Sequence, residues 1–386
     1  MPEARRPRRD RLVTAVAGLV VLVLLGVGLG ACSRSPSFVT RSGAGLTLDG
    51  APYRFVGFNL YDAAASDVYS CQPFSRLDDS ALADTMKAIH EQAGATVVRF
   101  WAYQTYTAGG TDFAGVDRFI AAAAKEGLRV MPVLEDGPGD CSTGERRVSL
   151  AKADNGHWYS EGYRKPLGWA RLSYRDYARV MAQHYKDDPT ILAWMMVNEA
   201  ETGERDAQDR SQLVSFAGDV SAVIKAADPH HLVTLGSQSN GAPGASGSDF
   251  RAVYAQSGLD FTEVHDWNSY GSDTEALPGS DEGALPDPTS SGCTARDAKI
   301  ACSFALVKLL GKPIVVGEVG IAAVDDAGRT RRARLLDAKA RAAFASGASG
   351  YLVWHLDRTT TDDLSVLVSP PDPLLPALEA IAAESS

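Results

Sequence analysis

The sequence predicts an α/β fold, a (β/α)8 TIM barrel, and three observations predict it. Eight short apolar runs recur along the chain, and segments with apolar residues three or four positions apart separate many of them. Strands that alternate with helices pair in parallel, and eight such units close into a barrel inside a ring of helices. The 386 residues suffice for one large core. A doubly wound open sheet is the alternative, but the first unit lacks a G-x-G-x-x-G turn.

The predicted elements begin with a short hairpin. Residues 46–48 and 53–55 flank Asp49-Gly50, a pair typical of tight β-turns. The eight predicted barrel strands are 55–59, 96–101, 129–135, 192–199, 232–236, 261–265, 314–318 and 351–355. The helices predicted between them include 80–92, 116–126, 174–185, 212–226 and 330–345.

Two connections are longer than an ordinary barrel loop. Residues 137–172 and 267–293 each follow the carboxyl end of a predicted strand. That end of a barrel carries the binding and catalytic groups of enzymes with this fold. We therefore expect these long βα loops to wall a cleft on the C-terminal face.

The N-terminal segment predicts export. Arginines precede an apolar run from Leu12 to Ala31, which is typical of a signal peptide spanning residues 1–31. Leu29-Gly30-Ala31-Cys32 resembles the lipobox of bacterial lipoproteins, which implies cleavage before Cys32 and lipid attachment to its sulfur. The Ser-, Arg- and Gly-rich residues 32–45 then form a lipidated flexible tether, and 46–386 form the barrel domain. An uncleaved membrane helix is the alternative.

Both interpretations place the barrel outside the cytoplasmic membrane, anchored to its outer face or secreted. Residues 1–31 contain five arginines against Glu3 and Asp10, so their removal takes the formal net charge from −10 to −13. A strongly acidic chain is a poor partner for nucleic acid. We expect a monomer that contacts the membrane through its N-terminal lipid or anchor.

Four further cysteines remain after Cys32. An even number in an oxidising compartment predicts two disulfides, and we expect Cys71–Cys141 and Cys293–Cys302. The sequence contains no H-E-x-x-H motif, no nucleotide-binding glycine loop and no zinc-like cysteine spacing. It therefore predicts no metal and no cofactor.

Polar residues end most of the predicted strands, where they would converge on one mouth of the barrel. Asn198-Glu199 closes the fourth strand and Glu318 closes the seventh. This pattern resembles the acid/base and nucleophile motif of clan A glycoside hydrolases. Within that clan, the segments Gly57-Phe58-Asn59, Val98-Arg99-Phe100-Trp101 and Val353-Trp354 resemble glycoside hydrolase family 5, cellulase/β-mannanase-like and closest to its β-mannanase branch.

The resemblance implies a role for each matching residue. Glu199 is the expected acid/base and Glu318 the expected nucleophile, which Arg99 would keep ionised. Asn198 would bind the sugar 2-hydroxyl, His265 would line the same subsite, and Trp354 would form its apolar floor. Aromatic rings stack on sugar faces, so Trp101 and Trp267 are further substrate-binding candidates.

Two departures from the family pattern concern the substrate subsite. The family commonly has His-x-Tyr after the sixth strand, whereas Trp267 takes the tyrosine position here. Tyr270 is the alternative source of that hydroxyl. Glu135-Asp136 ends the third strand, where the family usually has His or Asn, and Asp136 is therefore a substrate-binding candidate.

The sequence thus predicts a retaining β-glycosidase that acts by double displacement. We expect a β-linked polysaccharide or oligosaccharide as substrate, with β-mannan favoured and β-glucan second. The alternatives are a catalytically impaired carbohydrate-binding surface protein on the same barrel, and a transglycosylase that uses the same intermediate.

Overall fold

The computed structural model describes residues 37–65, 76–136, 157–166, 170–267 and 284–385. A three-stranded antiparallel sheet comes first, formed by β1 (Thr40–Ser42), β2 (Gly45–Leu48) and β3 (Ala51–Tyr53). Asp49 and Gly50 join β2 to β3 with positive φ angles of 54° and 80°, which confirms the predicted Asp-Gly hairpin.

Eight parallel strands then form one sheet in the order β8-β7-β6-β5-β4-β11-β10-β9. They are β4 (Phe55–Asn59), β5 (Val97–Trp101), β6 (Arg129–Val133), β7 (Ala193–Met195), β8 (Leu232–Thr234), β9 (Thr262–Asp266), β10 (Ile314–Val319) and β11 (Ala348–Val353). Hydrogen bonds also cross the remaining gap between β8 and β9, from Asp260 N to Val233 O at 2.8 Å and from Thr234 Oγ1 to Phe261 O at 3.1 Å. The sheet is therefore a nearly closed barrel, as predicted.

Helices surround the sheet. They are α1 (Asp79–Ala93), α2 (Ala114–Lys125), α3 (Tyr174–Tyr185), α4 (Gln212–Ala227), α5 (Gly247–Tyr254), α6 (Ser291–Thr294), α7 (Ile300–Leu310), α8 (Asp326–Ala345) and α9 (Leu374–Ser385). Two 3-10 turns lie at Gln104–Thr107 and Gly162–Arg164, and β12 (Leu356–Asp357) pairs with β13 (Val366–Leu367). Within the described ranges, no helix is both long and apolar enough to cross a membrane.

The strands alternate between two cores because successive side chains of a strand point to opposite faces. On β5, Val97 and Trp101 belong to the cluster inside the barrel, whereas Val98 and Phe100 pack between the sheet and the helices. Arg99 shares the inward face with Val97 and Trp101 and is completely buried. The alternation thus places a charged side chain inside the barrel.

Two sequence expectations need comment here. We expected folded structure from Leu46, but β1 already pairs with β2 from Thr40, so regular structure begins before the predicted boundary. Val39 is buried and anchors this segment despite its Ser- and Gly-rich surroundings. The predicted Cys293–Cys302 disulfide is present and links α6 to α7. Cys71, Cys141, Cys32 and the predicted signal peptide lie outside the described residues.

Candidate active site

Four strands bring the predicted catalytic residues together at their carboxyl ends. Arg99 lies on β5, Asn198 and Glu199 follow β7, His265 lies on β9, and Glu318 lies on β10. These strands come from separate parts of the chain, and closure of the barrel makes their ends converge.

Glu318 sits among three donors. Arg99 Nη1 lies 2.6 Å from its Oε1, and the indole Nε1 of Trp267 donates to its Oε2 at 3.2 Å. His265 Nδ1 lies 3.5 Å from the same Oε2. The indole therefore donates to this carboxylate at the position where the family has a tyrosine hydroxyl. Tyr270, the alternative source of that hydroxyl, lies outside the described residues.

Arg99 is fixed in place by two amide side chains. It donates through Nη1 to Asn59 Oδ1 at 2.8 Å and through Nη2 to Asn198 Oδ1 at 2.6 Å. Asn59 in turn donates through Nδ2 to Gly317 O at 3.0 Å. A planar guanidinium held at several donor atoms has little freedom to turn, so Glu318 faces a preorganised cation.

Glu199 occupies a strained backbone position. Its φ of 49° lies in the left-handed region, which residues other than Gly rarely adopt. His265 Nδ1 lies 2.7 Å from its Oε1, and the carboxyl group remains partly exposed to the cleft. Such strain clusters at functional sites, and here it turns the carboxylate toward Glu318.

The pKa shifts of the site residues differ from the expected assignment. Burial disfavours the charged imidazole of His265, but Glu318, Glu199 and Glu263 outweigh it and raise its pKa to about 10. Burial also opposes ionisation of Glu199, yet the hydrogen bond and charge of His265 lower the pKa of Glu199. Burial raises the pKa of Glu318 despite its cationic neighbours. We expected Arg99 to keep Glu318 ionised, whereas the pKa of Glu318 is raised and that of Glu199 is lowered.

Tryptophan rings line the cleft above these carboxylates. The ring of Trp354 stacks on Tyr61 with centroids 4.9 Å apart and lies 6.2 Å from Trp267. The cleft encloses about 620 Å³ including its open mouth. Its lining consists of Trp101, Asn198, Glu199, Gln238, Trp267, Glu318, Trp354 and Leu364. Partly exposed aromatic faces beside paired carboxylates suit a sugar ring, which has apolar faces and polar edges.

The two acidic residues that end the third predicted strand differ from the other residues predicted at the rim of the barrel. Glu135 and Asp136 are each only 2% exposed, and neither lines the cleft formed by the described residues. Glu135 Oε1 accepts the backbone N–H of Asp136, and burial raises the pKa of Glu135 well above its ordinary value. Binding of substrate by Asp136 stays a prediction.

One group of donor atoms has the spacing of a cation site. One ligand atom each from Glu199, His265 and Glu318 lies within 4.8 Å of the others. Metal ligation requires a neutral imidazole, and these carboxylates instead favour the imidazolium because they raise the pKa of His265. The arrangement suits a proton shared among acids better than it suits a metal ion.

The sequence argument did not single out three residues that the structure places here. Gln238 and Leu364 line the cleft, and Glu263 lies beneath His265 with its side chain fully buried. Glu263 carried a signal, because it stands two positions before His265 and therefore on the same face of β9. Gln238 follows β8 and Leu364 precedes β13, both in loops, where no spacing rule could identify them.

Comparison with known proteins shows which family model and which relatives this chain resembles. Residues 172–345 match a family model described as GH family 5 beta-mannosidase-like. A probable mannan endo-1,4-beta-mannosidase C of Aspergillus terreus is 26% identical over 284 residues, which cover 61% of this chain and 66% of that protein. Mannan endo-1,4-beta-mannosidase 1 of Oryza sativa subsp. japonica is 28% identical over 346 residues, covering 79% and 74%.

Solved structures share the fold. An endo-1,4-beta-mannanase from Rhizomucor miehei superposes with a TM-score of 0.64 at 18% identity, covering 90% of this chain and 100% of that one. An exo-beta-1,4-mannosidase from Opitutaceae bacterium strain TAV5 has a TM-score of 0.62 at 18% identity, with coverage of 90% and 62%. The structures match the barrel, and the family model and sequence relatives support a glycoside hydrolase similar to those of family 5.

Proposed function

We propose that this glycoside hydrolase cleaves a β-linked mannan polysaccharide or oligosaccharide with retention of anomeric configuration. The observation that carries the proposal is the spacing of its two carboxylates, since an oxygen of Glu199 and an oxygen of Glu318 lie within 4.8 Å. Retaining enzymes place the two carboxyl groups about 5–5.5 Å apart, whereas inverting enzymes need about 6.5–9.5 Å to admit a water. The short spacing supports a covalent intermediate.

In the first step, Glu318 attacks the anomeric carbon while Glu199 protonates the leaving oxygen. In the second step, Glu199 removes a proton from water, which attacks the same carbon and releases Glu318. Glu318 is the better placed nucleophile because Arg99 and Trp267 both orient its carboxylate. Glu199 is the better placed acid because it is the more exposed of the two to the cleft.

The acid step requires a proton on Glu199 and a charge on Glu318. The proton favours Glu318, because burial raises the pKa of Glu318 and His265 stabilises Glu199 as an anion. The two carboxyl groups are close enough to share one proton as a coupled pair. Positive charge that develops at the anomeric carbon beside Glu318 favours the ionised nucleophile and so moves this proton to Glu199.

Mannan is the favoured substrate class, with β-glucan second. The curated relatives named above are mannan endo-1,4-beta-mannosidases, and the family model is beta-mannosidase-like. Further support comes from three tryptophans that line the cleft beside the catalytic pair, where they could form a sugar-binding floor. They are Trp354, Trp101 and Trp267. Asn198, held by Arg99, lines the same cleft and is placed to bind a sugar hydroxyl.

A substrate panel tests this proposal. Purified protein is incubated with β-mannan, glucomannan, a β-glucan and xylan, and the products are sized and examined for transfer products. We expect release of manno-oligosaccharides from mannan at the highest rate, with Glu318→Gln as the inactive control. Binding to mannan without turnover by the wild-type protein would instead show a carbohydrate-binding protein.

We also propose attachment to the outer face of the bacterial cell membrane by a lipid on Cys32, with the barrel acting as a monomer. Support comes from the sequence Leu29-Gly30-Ala31-Cys32, which lies outside the described residues. Labelling cells with an alkyne fatty acid should mark the wild-type protein and not Cys32→Ala. Mass spectrometry that finds residues 12–31 retained in the membrane-bound protein would contradict this proposal.

A further inference from the structure

A third carboxylate lies beneath the catalytic pair. Glu263 is on β9, two residues before His265, so both side chains point to the same face of the strand. Glu263 is completely buried and does not line the cleft. It therefore cannot contact a sugar, and any effect on the reaction must pass through its neighbours.

Gly317 on β10 makes room for this carboxylate. A Cβ at Gly317 would lie 1.8 Å from Glu263 Oε1, so the acid occupies the space that any other residue would fill. The pairing of β9 with β10 shifts register between Val316 and Glu318, which places Gly317 in a bulge. The same irregularity thus accommodates Glu263 and sets the direction of Glu318.

Glu263 faces the two cations of the site from below. Its Oε1 lies 3.8 Å from Arg99 Nε and 3.5 Å from His265 Nε2. Among the described residues, neither of its carboxylate oxygens has a hydrogen-bond partner, and neither does His265 Nε2. A buried carboxylate that is held by charge without hydrogen bonds is costly for folding. Within the described part of the chain, the ion pairs that offset its charge are those with Arg99 and His265.

Arg99 and His265 also bind the catalytic pair, through atoms other than those that face Glu263. Arg99 contacts Glu318 at 2.6 Å, and His265 Nδ1 contacts Glu199 at 2.7 Å. His265 therefore lies between two carboxylates, one at each ring nitrogen, which favours a proton on both nitrogens.

We propose that Glu263 is a positioning residue, the shared counter-charge that keeps His265 an imidazolium and holds Arg99 and His265 toward Glu318 and Glu199. Its effect on turnover rests on the proposed function, whereas its effect on His265 does not. Glu263→Gln keeps the shape of the side chain and removes only the charge, so it isolates this role.

Among the described residues, the other charged and titratable groups that act on His265 or Glu263 are Arg99 on β5, Glu199 after β7, Glu318 on β10 and Tyr254 on α5. Removal of one negative charge from this group makes every remaining proton easier to lose. The pKa of His265, about 10 in the wild-type protein, should therefore fall in Glu263→Gln.

The direct test is a pH titration of the His265 imidazole by NMR in the full-length protein, assigned with His265→Gln. We expect protonation to persist through pH 9 in the wild type and the midpoint to fall by about 1–3 units in Glu263→Gln. Asp266→Asn is the matched control, since it removes the next buried carboxylate on β9, which pairs with Lys339. It should leave the His265 midpoint unchanged.

A second readout follows kcat/KM against pH on a manno-oligosaccharide. In Glu263→Gln the alkaline limb should move to lower pH, whereas Glu263→Asp, which keeps the charge, should retain the limb near its wild-type position. If Glu263→Gln does not fold, the NMR midpoint of His265 in the wild type and the pH profile of Glu263→Asp still test the proposal. An ordinary wild-type midpoint near 6.5, or an equal fall in Asp266→Asn, would overturn the proposal. Inactivity of the wild type on mannan with the NMR result intact would refute only the proposed function.

Discussion

Two regions of the barrel that contain buried charges arrange them differently. Beside α8 they form one-to-one pairs, with Arg332 Nη2 2.5 Å from Asp372 Oδ2 and Lys339 Nζ 2.9 Å from Asp266 Oδ2. The site network, which we define as Arg99, His265, Glu199, Glu263 and Glu318, sets three carboxylates against two cations.

This difference separates stability from reactivity. A one-to-one buried pair neutralises both charges, and loss of either partner leaves an uncompensated ion. An excess of carboxylates forces protons to be shared, which is costly for folding and useful for acid/base chemistry. Substitutions beside α8 should therefore change the free energy of unfolding, and substitutions in the site network should chiefly change turnover.

The largest expected effect is on turnover. Shortening Glu318 or Glu199 to alanine should each lower kcat on mannan by about 10⁴-fold or more, because each removes a group that reacts with the substrate. Neither variant should lose stability, since each loses a carboxylate from a network that has too many. Steady-state kinetics and urea unfolding check this, and a substantially destabilised Glu318→Ala would contradict the contrast.

Next in size is the effect of breaking a one-to-one pair. Asp372→Asn should lower the free energy of unfolding by about 3–5 kcal/mol, because it leaves Arg332 buried without its counter-ion. The activity of the molecules that remain folded should be unchanged. Urea unfolding with parallel assays measures both quantities, and the hypothesis fails if kcat falls while stability is retained.

A smaller effect is expected at Trp267. Trp267→Phe removes the indole N–H that donates to Glu318, and a hydrogen bond to a charged group contributes about 1.5–3 kcal/mol. We expect kcat to fall by about tenfold or somewhat more, with KM changed less. Trp267→Tyr restores a donor and should recover part of the loss. Equal activity of the Phe and Tyr variants would show that the ring matters and its N–H does not.

The barrel could be predicted because its elements carry local signals. The boundaries of β4 and α3 match the prediction, since Phe55–Asn59 is a compact apolar run and Tyr174–Tyr185 has an apolar stripe. Helix α7 was not predicted, because Ile300–Leu310 is apolar on nearly every side and shows no helical period. Its burial depends on neighbours that a local pattern does not contain.

The residues of the site also divide into those that a local sequence pattern could predict and those that it could not. Glu199 and Glu318 could be predicted because each ends an apolar strand within a recognisable motif. For Glu263 the sequence shows only that it shares a strand face with His265, and its role depends on Gly317, 54 positions later, which leaves it room. The order of the pKa values of Glu199 and Glu318 depends on His265 in the same manner. Contacts formed by closure of the barrel decide both, and no local pattern records them.

The most direct test of the central claim compares the products that two variants form with azide. With a dinitrophenyl β-mannoside, Glu199→Ala should form the intermediate on Glu318 without needing a proton, and azide should release it as the β-glycosyl azide. In Glu318→Ala, azide should enter the vacated nucleophile site and attack directly, which gives the α-anomer. NMR of the products identifies each anomer. The same anomer from both variants would contradict the assignment of Glu318 as nucleophile and Glu199 as acid/base.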